Sequence, residues 1–325
     1  MYIKNKSPNG QYIKNKFSQL FHSWYAVAIA ELLILYLIIV IFSDNFISQE
    51  NIYSILSSVA LLGLLAMSES MVFMIGSIDL STYAVYMLSG AAMTLFVSEY
   101  DIGFIPSALI SILIGALIGI INGFFVTRIK LQPIIITIGT LLIAKGVSNI
   151  LANSISNYTF PKLATVISEG KLYFIPISFL IVFMLMAICY FLLKHTIIGR
   201  QIFAVGGNEK AAQISGLNVD AIKILVYVSS SILASVAGVI FCTTPSASTK
   251  VLNGNNFEVI LAVIIGGVSI YSRAGSMIRV LLGAAFVVII KNLLSMSFVS
   301  DNYQIILIGC LFLIFSTIYH FKNKE

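Results

Sequence analysis

FIPSALISILIGALIGIINGFFVT, Phe104 to Thr127, runs without one charged residue and stops at Arg128. About 20 consecutive apolar residues are enough to cross a bilayer as a helix, so this stretch reads as a membrane-spanning helix. Gly115, Gly119 and Gly123 fall four residues apart in it, a doubled GxxxG. Small residues at that spacing let two helix backbones approach closely, so the stretch implies packing against another helix and no chemistry of its own. Asn122, one helical step from Gly119, reads either as an interhelical hydrogen-bond donor or as a residue facing a cavity.

The same hydropathy recurs along the chain. Apolar residues make up 59% of the 325, charged residues only 10%, and the mean hydropathy is +1.00. A soluble domain carries nearly a quarter charged residues, so the fold class is an all-α polytopic membrane protein. Apolar windows near 25–43, 55–76, 82–98, 104–127, 133–152, 173–193, 222–243, 257–271, 277–297 and 303–321 predict ten crossings, with both termini on one side. The first window has no small-residue cleavage pattern behind it and reads as a retained helix. The expected organisation is a cytoplasmic segment over 1–24, a transmembrane domain over 25–321 with a cytoplasmic loop at 194–223, and a cytoplasmic tail at 322–325. Lysines and arginines support this orientation: Lys4, Lys6, Lys14, Lys16, Arg128, Lys130, Lys194, Arg200, Lys210, Lys223, Arg273, Arg279, Lys322 and Lys324 all fall on one side. A net charge of +6 is expected from that bias and does not imply nucleic acid.

Two polar intervals break the apolar pattern. In GSIDLS, Gly76 to Ser81, an acid at membrane depth costs about 2.5–3.5 kcal/mol on insertion scales, so Asp79 should face protein or water. Ser77, Ser81 or free backbone N–H groups are the expected partners. Asp79 either caps the helix that follows Leu80 or lines a path. The longer interval is KHTIIGRQIFAVGGNEKAAQISGLNVDAIK, Lys194 to Lys223. Asn208 is a good N-cap, Glu209 sits where the helix dipole favours an anion, and Gly216 is a stop, so a two-turn helix is expected over Glu209–Ser215. A helix so short needs a surface to pack against.

Other polar residues at membrane depth are path candidates. After Pro133, the residues Thr137, Thr140, Lys145 and Asn149 form a polar stripe too regular to face lipid, and the spacing of Thr137, Thr140 and Ser148 turns one helix face toward the bundle interior. Asn256 and Glu258 open a later span, and Asn292 lies within another; Glu258 also reads as a plain interfacial acid at a helix N-terminus. The interval from Ala152 to Lys171 reads as a surface loop. Cys189, Cys242 and Cys310 each stand alone in apolar runs and imply neither disulfide nor metal. There is no GxxxxGK[ST], HExxH or GxSxG motif, so an intramembrane enzyme is poorly supported.

Together NFISQENIYSIL, GSIDLS, NGFFVTRIKLQPIIITIGTLLIAKG, GRQIFAVGGNEKAAQISGLNVDAIKILVY and GGVSIYSRAGS, in that order, resemble the permease subunit of ribose-type ATP-binding-cassette sugar importers. The resemblance runs from about Asn45 to Lys322, and the block beginning at Gly199 is its most specific part. It implies ten helices in two inverted halves, with SSVALLGL near Ser57 and SSILASVAG near Ser229 as a faint repeat. It further implies that Gly206, Gly207, Asn208, Glu209, Ala211, Ala212 and Gly216 belong to a coupling helix that docks on a cytoplasmic ATP-binding subunit. ATP and Mg would then be bound by that partner and no cofactor by this chain. The other implied partners are an extracytoplasmic sugar-binding protein, a second copy or sister permease, a monosaccharide and the lipid bilayer of the bacterial cytoplasmic membrane. Asp79, Ser81, Asn122, Thr137, Thr140, Asn149, Asn256, Glu258 and Asn292 are the candidates for the solute path.

The chain departs from the family pattern at Ser77, where a glycine is usual, and at Tyr83, Tyr271 and Ser272, where smaller residues are usual. The usual acidic pair is reduced to Glu258, followed by Val259. The rival expectation is a secondary transporter coupled to H⁺ or Na⁺ through Asp79 and Glu258.

Overall fold

A computed structural model describes residues 46–154, 160–242, 256–268, 275–297 and 299–322, without the side chains of 301 and 318–322. The expected first span, the tail beyond residue 322, and Arg273, Tyr271 and Ser272 lie outside the described residues. The chain divides after Ser48, and the unit Gln49–Glu325 contains every helix described below.

The described part is helical, with one two-residue β-ribbon. Its helices are α1 Gln49–Met74, α2 Thr82–Ser98, α3 Phe104–Thr127, α4 Pro133–Asn153, α5 Lys162–Glu169, α6 Ile177–His195, α7 Ile197–Gly207, α8 Glu209–Ile214, α9 Val219–Phe241, α10 Asn256–Ile265, α11 Met277–Met296 and α12 Asp301–Lys322. Strands β1 Lys171–Leu172 and β2 Ile175–Pro176 pair antiparallel between α5 and α6. Within this set α1, α3, α4, α6, α9 and α11 are long and apolar enough to cross a membrane, so the chain is a multi-pass α-helical membrane protein. The intervals 82–98 and 104–127 coincide with the sequence expectation. The window near 257–271 does not: α10 ends at Ile265 after ten residues, about 15 Å of helix, half the hydrocarbon thickness.

Burial sorts the helices into a centre and a periphery. About seven-tenths of the apolar window of α1 and two-thirds of that of α9 are buried, against about a fifth in α3 and α4. The buried faces of the peripheral pair are narrow stripes: Ser107, Ser111, Gly115, Gly119, Asn122 and Gly123 on α3, and Thr137, Thr140, Ala144 and Ser148 on α4. The opposite faces expose Leu113, Leu117, Leu142 and Ile143. Such faces need an apolar surround, which a bilayer supplies.

The doubled GxxxG packs as expected, and α9 is its partner. A Cβ on Gly119 would stand 2.7 Å from the Tyr227 carbonyl oxygen and 2.8 Å from the Val228 Cα; one on Gly123 would stand 2.9 Å from the Ile224 Cα. The two backbones are therefore in direct contact at Gly119 and Gly123, and Gly115 packs against the Ser235 side chain one turn earlier. Further along α9, a Cβ on Gly238 would meet the Tyr86 carbonyl oxygen at 2.4 Å, so α2 approaches just as closely.

Two helices end within the bundle by one device. At the end of α1, Ser77 N–H donates to the Val72 carbonyl (3.1 Å) and Gly76 N–H to that of Phe73 (2.9 Å), with Gly76 at φ 74°. At the end of α10, Val268 N–H donates to Val263 (3.1 Å) and Gly267 N–H to Ile264 (2.9 Å), with Gly267 at φ 73°. Both are Schellman terminations, in which only glycine takes the left-handed residue without strain. The structural echo within the chain therefore links α1 with α10, whereas the sequence resemblance around Ser57 and Ser229 pairs α1 with α9.

Candidate functional site

The break after α1 is built around two acids. Asp79 is 2% exposed, and its Oδ1 accepts hydrogen bonds from Ser81 N–H (2.8 Å) and Ser81 Oγ (2.5 Å). Ser81 was among the partners expected for it. The second acid, Glu69, was not anticipated. It lies at 1% exposure in the last two turns of α1, where Oε1 accepts the Asp79 N–H (3.0 Å) and Oε2 the Thr82 hydroxyl (2.9 Å). One carboxylate thus satisfies two donors at the start of the next helix and fastens α1 to α2 across the gap. Asn122 joins from α3, donating to Ser81 Oγ at 2.9 Å, which fits the interhelical donor reading. Asn256, at the start of α10, donates to the Leu80 carbonyl at 3.0 Å. Asp79, Ser81, Asn122 and Asn256 are brought together here. A signal for Glu69 existed in the sequence: a single acid in an apolar run, ten residues before another.

Beside this break a cavity of about 400 Å³ opens between α1, α2, α10 and α11. Ser54, Ser58, Tyr83, Glu258, Lys291, Asn292 and Ser295 supply its polar wall, while Leu61, Leu62 and Leu65 form apolar lining. Glu258 comes from the first turn of α10 and Lys291 from the last two turns of α11. The Lys291 ammonium bonds both carboxylate oxygens, at 2.9 and 2.8 Å. Asn292 exchanges two amide hydrogen bonds with Asn51, at 3.1 and 2.8 Å, closing α11 onto the start of α1. Of the path candidates, Glu258 and Asn292 line this space.

Thr137 and Thr140 lie elsewhere, buried on α4, with hydroxyls bonded to the Pro133 and Ile136 carbonyls of their own helix at 2.9 and 3.2 Å. Asn149 is half-buried about two and a half turns further on; neither it nor the two threonines lines the cavity.

A second surface lies at the end of the bundle where α6 finishes and α9 begins. The expected short helix is present as α8. Asn208 caps it by accepting the Ala211 N–H at 3.0 Å, and Gly216, at φ 85°, ends it. Glu209 bonds Lys223 at 2.7 Å, which pins α8 to the first turns of α9. Ala212 is buried and Ile214 is 87% exposed. The sequence reading missed α7, whose three glycines and mixed polarity weaken the helical signal. It is capped by Thr196, whose Oγ1 accepts the Gly199 N–H at 3.3 Å. Gly199 is required where α6 turns into α7, since a Cβ there would stand 2.0 Å from the Leu193 carbonyl oxygen.

A family model described as the branched-chain amino acid transport system / permease component matches residues 51–316. The chain belongs to that permease family. This permease is 33% identical over 282 residues to a ribose import permease of Haemophilus influenzae, covering 85% of this chain and 86% of the relative. It is 33% identical over 298 residues to the ribose import permease of Bacillus subtilis, covering 87% and 88%. It is 32% identical over 289 residues to a fructose import permease of Rhizobium meliloti, covering 85% and 79%. No solved structure matches it. The family resemblance read from the five sequence blocks therefore holds, and this is a ribose-type permease of the ATP-binding-cassette class.

Proposed function

We propose that this permease carries a monosaccharide, ribose or a related pentose or hexose, across the bacterial cytoplasmic membrane, with ATP hydrolysed by a partner subunit. Similarity to ribose and fructose import permeases over more than four-fifths of the chain carries this reading. In it the chain crosses the bilayer ten times with both termini in the cytoplasm, in agreement with the lysine and arginine distribution. The cavity beside Glu258 then faces outward, toward a sugar-binding protein, and α7 and α8 face the cytoplasm.

Gly206, Gly207, Asn208, Glu209, Ala211, Ala212 and Gly216 form the coupling element, and Ile214 is the apolar knob that enters the partner ATPase. The partner holds ATP and Mg; this chain binds no cofactor. A second copy or sister permease completes the transporter. The polar residues at the break, Asp79, Ser81, Asn122 and Asn256, together with Glu258, Asn292, Thr137, Thr140 and Asn149, remain the proposed contributors to the solute path. Replacing Glu209 and Ala212 with bulky residues of opposite character abolishes co-purification of the ATPase; unchanged co-purification overturns the coupling assignment.

The buried pair Glu69 and Asp79 favours one second reading, an ion-coupled carrier. Uptake that collapses with an uncoupler while ATP is maintained would select it.

A further inference from the structure

The cavity beside α10 carries one acid and one base, and each is the other's partner. No other charged residue lines it among the described residues. An anionic or cationic solute therefore meets no free counter-charge, and creating one requires breaking a two-point ion pair whose side chains are only 16% and 36% exposed. The pair is nonetheless not chemically saturated. An ammonium has three N–H donors and a carboxylate about four acceptor sites, so one donor and several lone pairs remain. Hydroxyl groups, each both donor and acceptor, fit what is left without separating the two charges. Ser54, Ser58 and Ser295 line the same space; Ser295 Oγ accepts from Gln304 at 3.2 Å, which leaves its own proton to donate. Tyr83 supplies the one aromatic side chain among the lining residues, an apolar surface for the C–H side of a sugar ring. The volume of about 400 Å³ lies within the range of small-molecule sites.

We propose that the Glu258–Lys291 pair and the surrounding cavity form a solute subsite within the permease itself, selective for uncharged polyhydroxylated solutes over charged or zwitterionic ones. This rests on the sugar-importer reading above and adds that selection continues after the binding protein has delivered its load.

Two measurements test it. In the first, Ser58→Cys is introduced into a Cys310→Ser background, and its labelling by a maleimide is followed in detergent with D-ribose or L-leucine added across the millimolar range. Slowing by D-ribose alone is expected; slowing by L-leucine alone, or by neither, overturns the subsite. This assay needs no ATPase, so it stands even if the importer reading fails. In the second, solute moved per ATP is compared in proteoliposomes containing the permease, its ATPase and the loaded binding protein. Glu258→Gln and Lys291→Met each leave one charge unpaired and lower the ratio about tenfold while stimulated ATPase activity persists; the exchange Glu258→Lys with Lys291→Glu restores it to within about threefold. An unchanged ratio in Lys291→Met overturns the proposal. Absence of ATP-driven uptake by the unmodified permease instead counts against the importer reading.

Discussion

Glu69 accepts the backbone N–H of Asp79 at 3.0 Å, so an acid near the end of α1 holds the first residues that lead into α2. Its second oxygen takes the Thr82 hydroxyl, and the two bonds bridge a gap where the helical ladder is interrupted at Gly76. Without them, the Asp79 N–H at membrane depth would lose its acceptor, at a cost of about 1–3 kcal/mol, and the Thr82 hydroxyl would keep only its 3.2 Å bond to the Asp79 carbonyl.

Replacing Glu69 with leucine should therefore be severe, a loss of about 2–5 kcal/mol or failure to accumulate in the membrane. Glu69→Gln keeps an acceptor for the Asp79 N–H and can donate to the Thr82 hydroxyl, so it should retain most of the stability. Thermal melting in detergent, monitored by size-exclusion chromatography, separates the two; equal melting points would show that the bridge contributes nothing.

The contact between α3 and α9 predicts a contrast between two glycines. Gly119→Val pushes a side chain against the Tyr227 and Val228 backbone and should cost about 1–3 kcal/mol through overpacking. Gly139→Ala on α4 has no atom within 4 Å of the added carbon and should be neutral or stabilising by up to about 1 kcal/mol, the helix-propensity difference. Melting temperatures should move in opposite directions, or only the Gly119 variant should fall.

The reciprocal amide pair of Asn51 and Asn292 predicts coupling between the two positions. Either single change to alanine leaves an amide without its partner, whereas the double change removes both. A double-mutant cycle on stability should return a coupling of about 0.5–3 kcal/mol. A coupling of zero would place no weight on the bridge.

At the other end of the bundle, Lys223→Ala frees Glu209 and should loosen α8 without removing its cap at Asn208. Because the ion pair is largely solvent-accessible on the Glu209 side, the stability change should stay under about 1 kcal/mol. Hydrogen exchange across residues 209–216 should accelerate while α9 stays protected.

Much of this was legible in the residues because hydropathy and turn chemistry act locally. The intervals 82–98 and 104–127, the cap at Asn208, the stop at Gly216 and the packing role of Gly115, Gly119 and Gly123 each follow from a short-range rule. What stayed hidden depends on tertiary placement. Apolar composition around α10 continues past Ile265, so nothing in the hydropathy marks the end that Gly267 imposes. Glu69 sits in a run whose average hydropathy masks it, and its meaning emerges only when the chain folds back to present Asp79 and Thr82. Lys291 reads as an isolated charge in or near a span until Glu258, 33 residues earlier, is brought within 2.8 Å.

The most direct test is solute uptake into proteoliposomes holding this permease together with an ATP-binding subunit and a sugar-binding protein. Monosaccharide uptake should require ATP, resist an uncoupler and be lost in Ile214→Asp, with the permease still folded. Uptake that proceeds without ATP and collapses with the ion gradient would contradict the importer reading.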